Sequence, residues 1–176
     1  NEKYGKLIWV CDTGSNRIVV FDEFGNFQRI VEEPESSLFD QDSVYKPVAI
    51  AVDSYNRLYV VSSTTYQGVI VMTDEGEFTG FIGAQAVSMS AWEIIWRRFQ
   101  TKDQREASEQ KVSTEFNNIS INRGKGLVYV TTSTIEEGAV QGAIRGKDKS
   151  GTNSPVKLLN ANGTELMRRN GFWMPA

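Results

Sequence analysis

Leu7-Ile8-Trp9-Val10, then Ile18-Val19-Val20-Phe21, then Asp22-Glu23-Phe24-Gly25-Asn26 is the stretch that decides the fold, because the chain writes it three times. The second copy runs Leu58-Tyr59-Val60-Val61, Val69-Ile70-Val71-Met72 and Thr73-Asp74-Glu75-Gly76-Glu77. The third runs Leu127-Val128-Tyr129-Val130, Val156-Lys157-Leu158-Leu159 and Asn160-Ala161-Asn162-Gly163-Thr164. Repetition at this length means one supersecondary unit used several times. Gly25, Gly76 and Gly163 fall where a hairpin needs a residue tolerant of positive φ, so the last two strands of each copy form a tight antiparallel pair.

An additional strand precedes the second and third copies, in Val48-Ala49-Ile50-Ala51-Val52 and in Asn117-Asn118-Ile119-Ser120-Ile121, both with period-2 apolar alternation. The unit therefore has four strands: a (48–52, 117–121), b (7–11, 58–62, 127–131), c (18–21, 69–72, 156–159) and d (27–31, 78–82, 165–169). The expected fold class is all-β, built of four-stranded antiparallel β-propeller blades with a short helical insertion between blades. The expected layout over 1–176 is blade 1 (strands b to d, 7–31), blade 2 (47–83), a helical insertion (88–110) and blade 3 (116–169). Ser90-Ala91-Trp92-Glu93 is a capping box that starts the insertion. Behind it Trp92, Ile95, Trp96 and Phe99 share one face of a helix, with Glu93, Arg97 and Arg98 turned elsewhere. Thr101-Lys102-Asp103-Gln104 starts a second, polar helix. Two further insertions are 32–46, acidic and serine-rich, and 134–154, glycine-rich and charged.

Composition narrows the chemistry. The 176 residues are 40 % hydrophobic and 23 % charged, and no run approaches the roughly 18 apolar residues of a membrane helix. There is no histidine, which removes the commonest general base and zinc ligand. Cys11 is the single cysteine; in an apolar strand it reads as a small buried filler. Residues 1–122 carry a net charge of −7 and residues 123–176 a net charge of +4. An acidic majority argues against a nucleic-acid partner, since phosphate binding needs a concentrated basic face.

The runs Leu7–Ile30, Pro47–Gly83 and Leu127–Leu166 resemble the NHL-repeat family of β-propellers. The first, LIWVCDTGSNRIVVFDEFGNFQRI, carries the likeness most fully, and the third departs from it by the long loop between strands b and c. Such propellers normally close about six blades into a ring, so the resemblance implies a six-bladed propeller fragment of some three blades. It would be completed by the remaining blades of a longer protein or by a second copy. The repeats, the aromatic insertion and the restart at Thr114-Glu115-Phe116-Asn117-Asn118 together also resemble bacterial proteins that join such a propeller to a multi-pass membrane domain. That likeness implies an extracytoplasmic or membrane-tethered setting.

Candidate sites each have a plainer structural reading. Asp12-Thr13-Gly14 matches the aspartic-protease triplet, whose chemistry needs two such carboxylates; it occurs once, and reads as the strand exit of the repeat. Asn118-Ile119-Ser120 and Asn162-Gly163-Thr164 match the glycosylation sequon but fall in a strand and a turn. Related lactonases and lyases hold a metal in the central channel, and the inner strands here offer only Asn117, Asn118, Asn122 and Asp53, an oxygen set suited to a hard cation.

Topology is more informative. Successive turns of a meander alternate ends, so the short a–b and c–d turns share one end and the insertions 32–46, 84–113 and 134–154 share the other. The expectation is a non-enzymatic scaffold for protein or ligand binding, part of a larger protein, needing no cofactor, with Trp92, Trp96, Phe99, Arg97 and Arg98 as the candidate partner-binding residues. The alternative is a metal-dependent, lactonase-like propeller hydrolase or lyase with its active residues mostly in further blades.

Overall fold

The computed structural model describes residues 6–36, 44–65, 68–83, 116–132, 141–142, 145 and 154–167. Over these residues the chain is all-β, in three antiparallel sheets. The first sheet is β1 (Leu7–Asp12), β2 (Arg17–Asp22) and β3 (Phe27–Val31), and the second is β4 (Pro47–Val52), β5 (Leu58–Ser62), β6 (Val69–Met72) and β7 (Phe78–Ile82). The third is β8 (Asn118–Asn122), β9 (Leu127–Thr131) and β10 (Val156–Leu159). Every strand pairs with its neighbour in sequence, in the orders β1-β2-β3, β4-β5-β6-β7 and β8-β9-β10. No strand is exchanged between copies, and the sheets remain open at their edges.

Fold positions repeat more closely than the sequence alone suggests, with one correction. Trp9 pairs with Val20, Tyr59 with Val71 and Tyr129 with Leu158, which makes Trp9, Tyr59 and Tyr129 equivalent. Leu7 and Leu127 therefore correspond to Arg57, one residue before Leu58, where the apolar runs alone align them with Leu58 itself. A one-residue shift moves a side chain to the opposite face. The register also slips at the same place in two copies, between Val20 and Phe21 and between Val71 and Met72.

The alternation of faces builds two cores. Ile18, Val20 and Val31 of the first sheet, with Tyr45, pack against Leu58, Val60, Ile70 and Met72 of the second. Tyr59, Val61, Val69 and Val71, on the other face of the second sheet, pack against Ile119, Val128, Val130 and Leu159 of the third, beside Phe116. The middle sheet is thus covered on both sides. That is why β6 and β5 up to Val61 are continuously apolar and every residue of both strands is buried, whereas burial alternates along β9 and β10. Each fully buried aliphatic side chain contributes about 1.5–3 kcal/mol relative to exposure.

The relation between the first and second sheets recurs between the second and third. Gly76 (φ +97°) lies where an added Cβ would come within 3.0 Å of Val31, and Gly163 (φ +79°) where it would come within 3.1 Å of Ile82. Val31 and Ile82 are the last residues of equivalent strands. Edge strand β4 lies beside both β1 and β8. Hydrogen bonds tie it to each side: Thr13 Oγ1 donates to the Pro47 carbonyl at 2.6 Å, and Arg123 Nε donates to the Val52 carbonyl at 2.9 Å.

Of the expected strand d (165–169), the described residues 165–167 hold a single bridge, between Leu159 and Glu165, with the Leu166 N–H donating to Leu158 at 2.7 Å. Leu166 and Met167 are exposed. Residues 168–169 and the expected helical insertion 88–110 lie outside the described residues.

Candidate functional site

The two ends of the strands are built differently. At one end are the short a–b and c–d turns, each closed by a side chain that satisfies backbone donors. Asp22 Oδ1 accepts from the N–H groups of Phe24 and Asn26 at 2.9 and 2.8 Å. Asp53 Oδ1 accepts from Tyr55 and Arg57 at 2.8 and 2.9 Å, and Asn160 Oδ1 from Asn162 and Thr164 at 3.0 and 2.8 Å. Thr73 Oγ1 accepts from Glu77, and Asn122 Oδ1 from Lys125, at 3.1 Å each. Asp, Asn and Thr favour such turns because their short side chains reach the backbone two to four residues on. The turns at this end thus supply acceptors for their own backbone N–H groups.

Asp53 carries more than its equivalents. It is 5 % exposed, and its second oxygen accepts from Arg57 Nε at 2.7 Å and from the Tyr59 hydroxyl at 3.2 Å. Burial alone would raise its pKa, but the hydrogen bonds from the Arg57 and Tyr55 N–H groups and the Arg57 guanidinium outweigh it and hold the carboxyl below its ordinary value. The guanidinium also lies 5.6 and 5.8 Å from the centroids of the Tyr55 and Tyr59 rings. This is a structural ion pair that locks a turn.

At the opposite end the chain leaves the strands for its long connections, after Val31, Ile82 and Thr131, and re-enters at Pro47, Asn118 and Val156. The re-entry points are anchored. The Ser63 N–H donates to the Lys46 carbonyl, the Asn117 N–H to Thr131 and the Thr132 N–H to Pro155. Near the first of them sit Cys11 and the buried Tyr45; burial pushes the Cys11 thiol up to about 11 and raises the Tyr45 phenol. Both are neutral at ordinary pH, which removes Cys11 as a thiolate nucleophile.

The sequence candidates fare unequally. Trp92, Trp96, Phe99, Arg97 and Arg98 lie outside the described residues. Asp12 ends β1 and takes a hydrogen bond from Arg17 Nε at 2.9 Å, which lowers its pKa. Among the possible cation ligands, Asn118 Oδ1 accepts from the Ile119 N–H, Asn117 Oδ1 from the Thr131 hydroxyl, and Asn122 and Asp53 serve their own turns. Asn118 and Asn122 stand at opposite ends of β8, four residues apart and so about 13 Å from each other. They cannot share one ion. Among the described residues no three Cys, Asp or Glu side chains converge as a metal site would require.

Sequence reasoning missed Lys157. It faces the second sheet at 5 % exposure, with its ammonium 5.1 Å from the centroid of the Phe116 ring. Its only sequence signal is its place two residues before Leu159, so that Lys157 and Leu159 share the buried parity of β10 with the intervening Leu158 opposite.

Compared with known proteins, the chain matches no family model and no curated protein.

Proposed function

We propose that the chain is a non-enzymatic β-propeller-type scaffold of the NHL kind, and that it binds a protein or ligand at the end from which the long connections leave. The observation that carries this reading is the chain-ordered stack, with a middle sheet buried on both faces and the first strands of successive sheets, β1, β4 and β8, side by side. This arrangement supports reading the sheets as blades standing around an axis. Such a body holds loops rigidly at one end, and binding residues concentrate on loops held by a rigid frame. The opposite end offers only short turns whose backbone N–H groups are capped by their own side chains. Trp92, Trp96 and Phe99 are the contact residues, with Arg97 and Arg98 suited to an anionic group on the partner.

The test compares the wild-type chain with W92F/W96F and with W92A/W96A/F99A. Fluorescence lost in W92F/W96F isolates these two indoles from Trp9 and Trp173. The proposal expects that component to be quenched readily by acrylamide, and the triple alanine variant to keep its stability within about 0.5 kcal/mol, as surface substitutions do. Shielded indoles together with a loss of about 3 kcal/mol or more, as for core aromatics, would make the cluster a structural pin and remove it as a binding site.

A further inference from the structure

The two glycosylation sequons stand in different structural settings. At Asn118-Ile119-Ser120 the residues serve the sheet. Asn118 Oδ1 accepts from the Ile119 N–H at 2.8 Å, and the three residues pair in register with Thr131, Val130 and Tyr129 of β9. The other side of this strand lies beside β4, so the backbone of this sequon is held between neighbours. At Asn162-Gly163-Thr164 the sequon side chains have no such part. The side chain that closes the turn is Asn160, whose Oδ1 accepts from the Asn162 and Thr164 N–H groups. Gly163 is the residue that docks: its φ is +79°, and an added Cβ would come within 3.1 Å of Ile82 and of the Gly83 nitrogen. Asn162 and Thr164 are exposed, and among the described residues neither side chain makes a hydrogen bond.

The equivalent turns show what this turn requires. The capping position is Asp22, Thr73 or Asn160, and the glycine is Gly25, Gly76 or Gly163. Where the third copy has Asn162 and Thr164, the first has Phe24 and Asn26 and the second Glu75 and Glu77. The turn therefore forms without a carboxamide at 162 or a hydroxyl at 164, and their presence together has no structural account. We propose that Asn162 is an N-glycosylation acceptor. The sequon supplies the carboxamide, a hydroxyl two residues on and a residue other than proline between them. In the transfer, the Asn162 amide nitrogen forms a bond to C1 of the first sugar of a lipid-pyrophosphate-linked oligosaccharide. The bond from C1 to the pyrophosphate oxygen breaks, the lipid pyrophosphate leaves, and the amide gives one proton to the transferase. The site is at the end of the short turns, so a glycan there leaves the end of the long connections uncovered. The inference rests on this turn and not on the binding end, so its failure leaves the preceding proposal standing.

The experiment incubates the folded full chain with an oligosaccharyltransferase and a lipid-linked oligosaccharide, with an acceptor peptide in the same reaction to show that the enzyme is active. Intact mass and glycopeptide mapping give the readout. The expected result is one glycan, on Asn162, released by peptide N-glycosidase with conversion of that residue to Asp. N162Q and T164A are expected to take none, T164S, which keeps the hydroxyl, to retain it, and N118Q to match the wild type. Because neither side chain holds the turn, the thermal midpoints of N162Q and T164A should stay within about 2 °C of the wild type. A folded wild-type chain left unmodified while the peptide reacts overturns the proposal. Transfer to Asn118 in equal amount, or a glycan on Asn162 that persists in T164A, overturns it as well.

Discussion

At the scale of single residues, the turn aspartates and asparagines organise the hairpins, and Asp53 is the one whose loss costs most. Asp53→Ala leaves the N–H groups of Tyr55 and Arg57 and the Arg57 guanidinium without their acceptor; we expect a loss of about 3 kcal/mol in urea unfolding. Asp53→Asn retains an oxygen for the two N–H groups and is expected to cost about 1–2 kcal/mol. Because the folded carboxyl titrates below its unfolded value of about 3.9, its stabilisation is present above that value and is lost as pH falls through the folded pKa. Stability of the wild type should thus decline below about pH 5, with a shallower decline in Asp53→Asn. Asp22, lowered chiefly by its hydrogen bond with Asn26, has the same sign. Glycine offers a sharper contrast. Gly25 and Gly163 both have positive φ, but a Cβ at Gly25 meets open space while one at Gly163 comes within 3.1 Å of Ile82 and Gly83. Gly25→Ala is expected to cost about 1–2 kcal/mol from the backbone alone, and Gly163→Ala distinctly more, measured as the shift in thermal midpoint.

At the scale of strands and sheets, equivalent positions differ in energy according to what stands beside them. Leu58 and Ile8 occupy the same place in their units, yet Leu58 is 0 % exposed and Ile8 48 %. Leu58→Ala is expected to cost about 2.7–5 kcal/mol by opening a cavity, and Ile8→Ala under about 1 kcal/mol, both read from denaturant midpoints. The strands themselves were legible in the sequence because apolar runs and turn residues alternate regularly; the double burial of the middle sheet was not, since Leu7–Val10 and Ile18–Phe21 are equally unbroken and their sheet is not buried on both faces. That Leu7 aligns with Arg57 rather than with Leu58 was not legible, since leucine at either of two adjacent positions gives the same apolar run; only cross-strand pairing distinguishes the faces. Nor was the pairing after Asn160, where the described residues 165–167 make a single bridge at Glu165 and Leu166 is exposed. For the candidate site, the division into a turn end and a loop end followed from strand order. The buried roles of Asp53 and Lys157 depend on the neighbouring sheet and on side-chain partners that local pattern does not encode.

At the scale of the whole molecule, the account rests on sheets laid side by side in chain order, each closing one face of the next. Topology then places the tight turns together and leaves the long connections at the opposite end. The direct measurement is a methyl NOE map of a sample labelled at its Ile, Leu and Val side chains. The account predicts contacts between Ile18 or Val20 and Leu58 or Val60, and contacts between Val69 or Val71 and Val128 or Val130. No NOE should join the first of these groups to the last within one chain. A direct contact between Val20 and Val130, or the absence of any contact across the middle sheet, would contradict it.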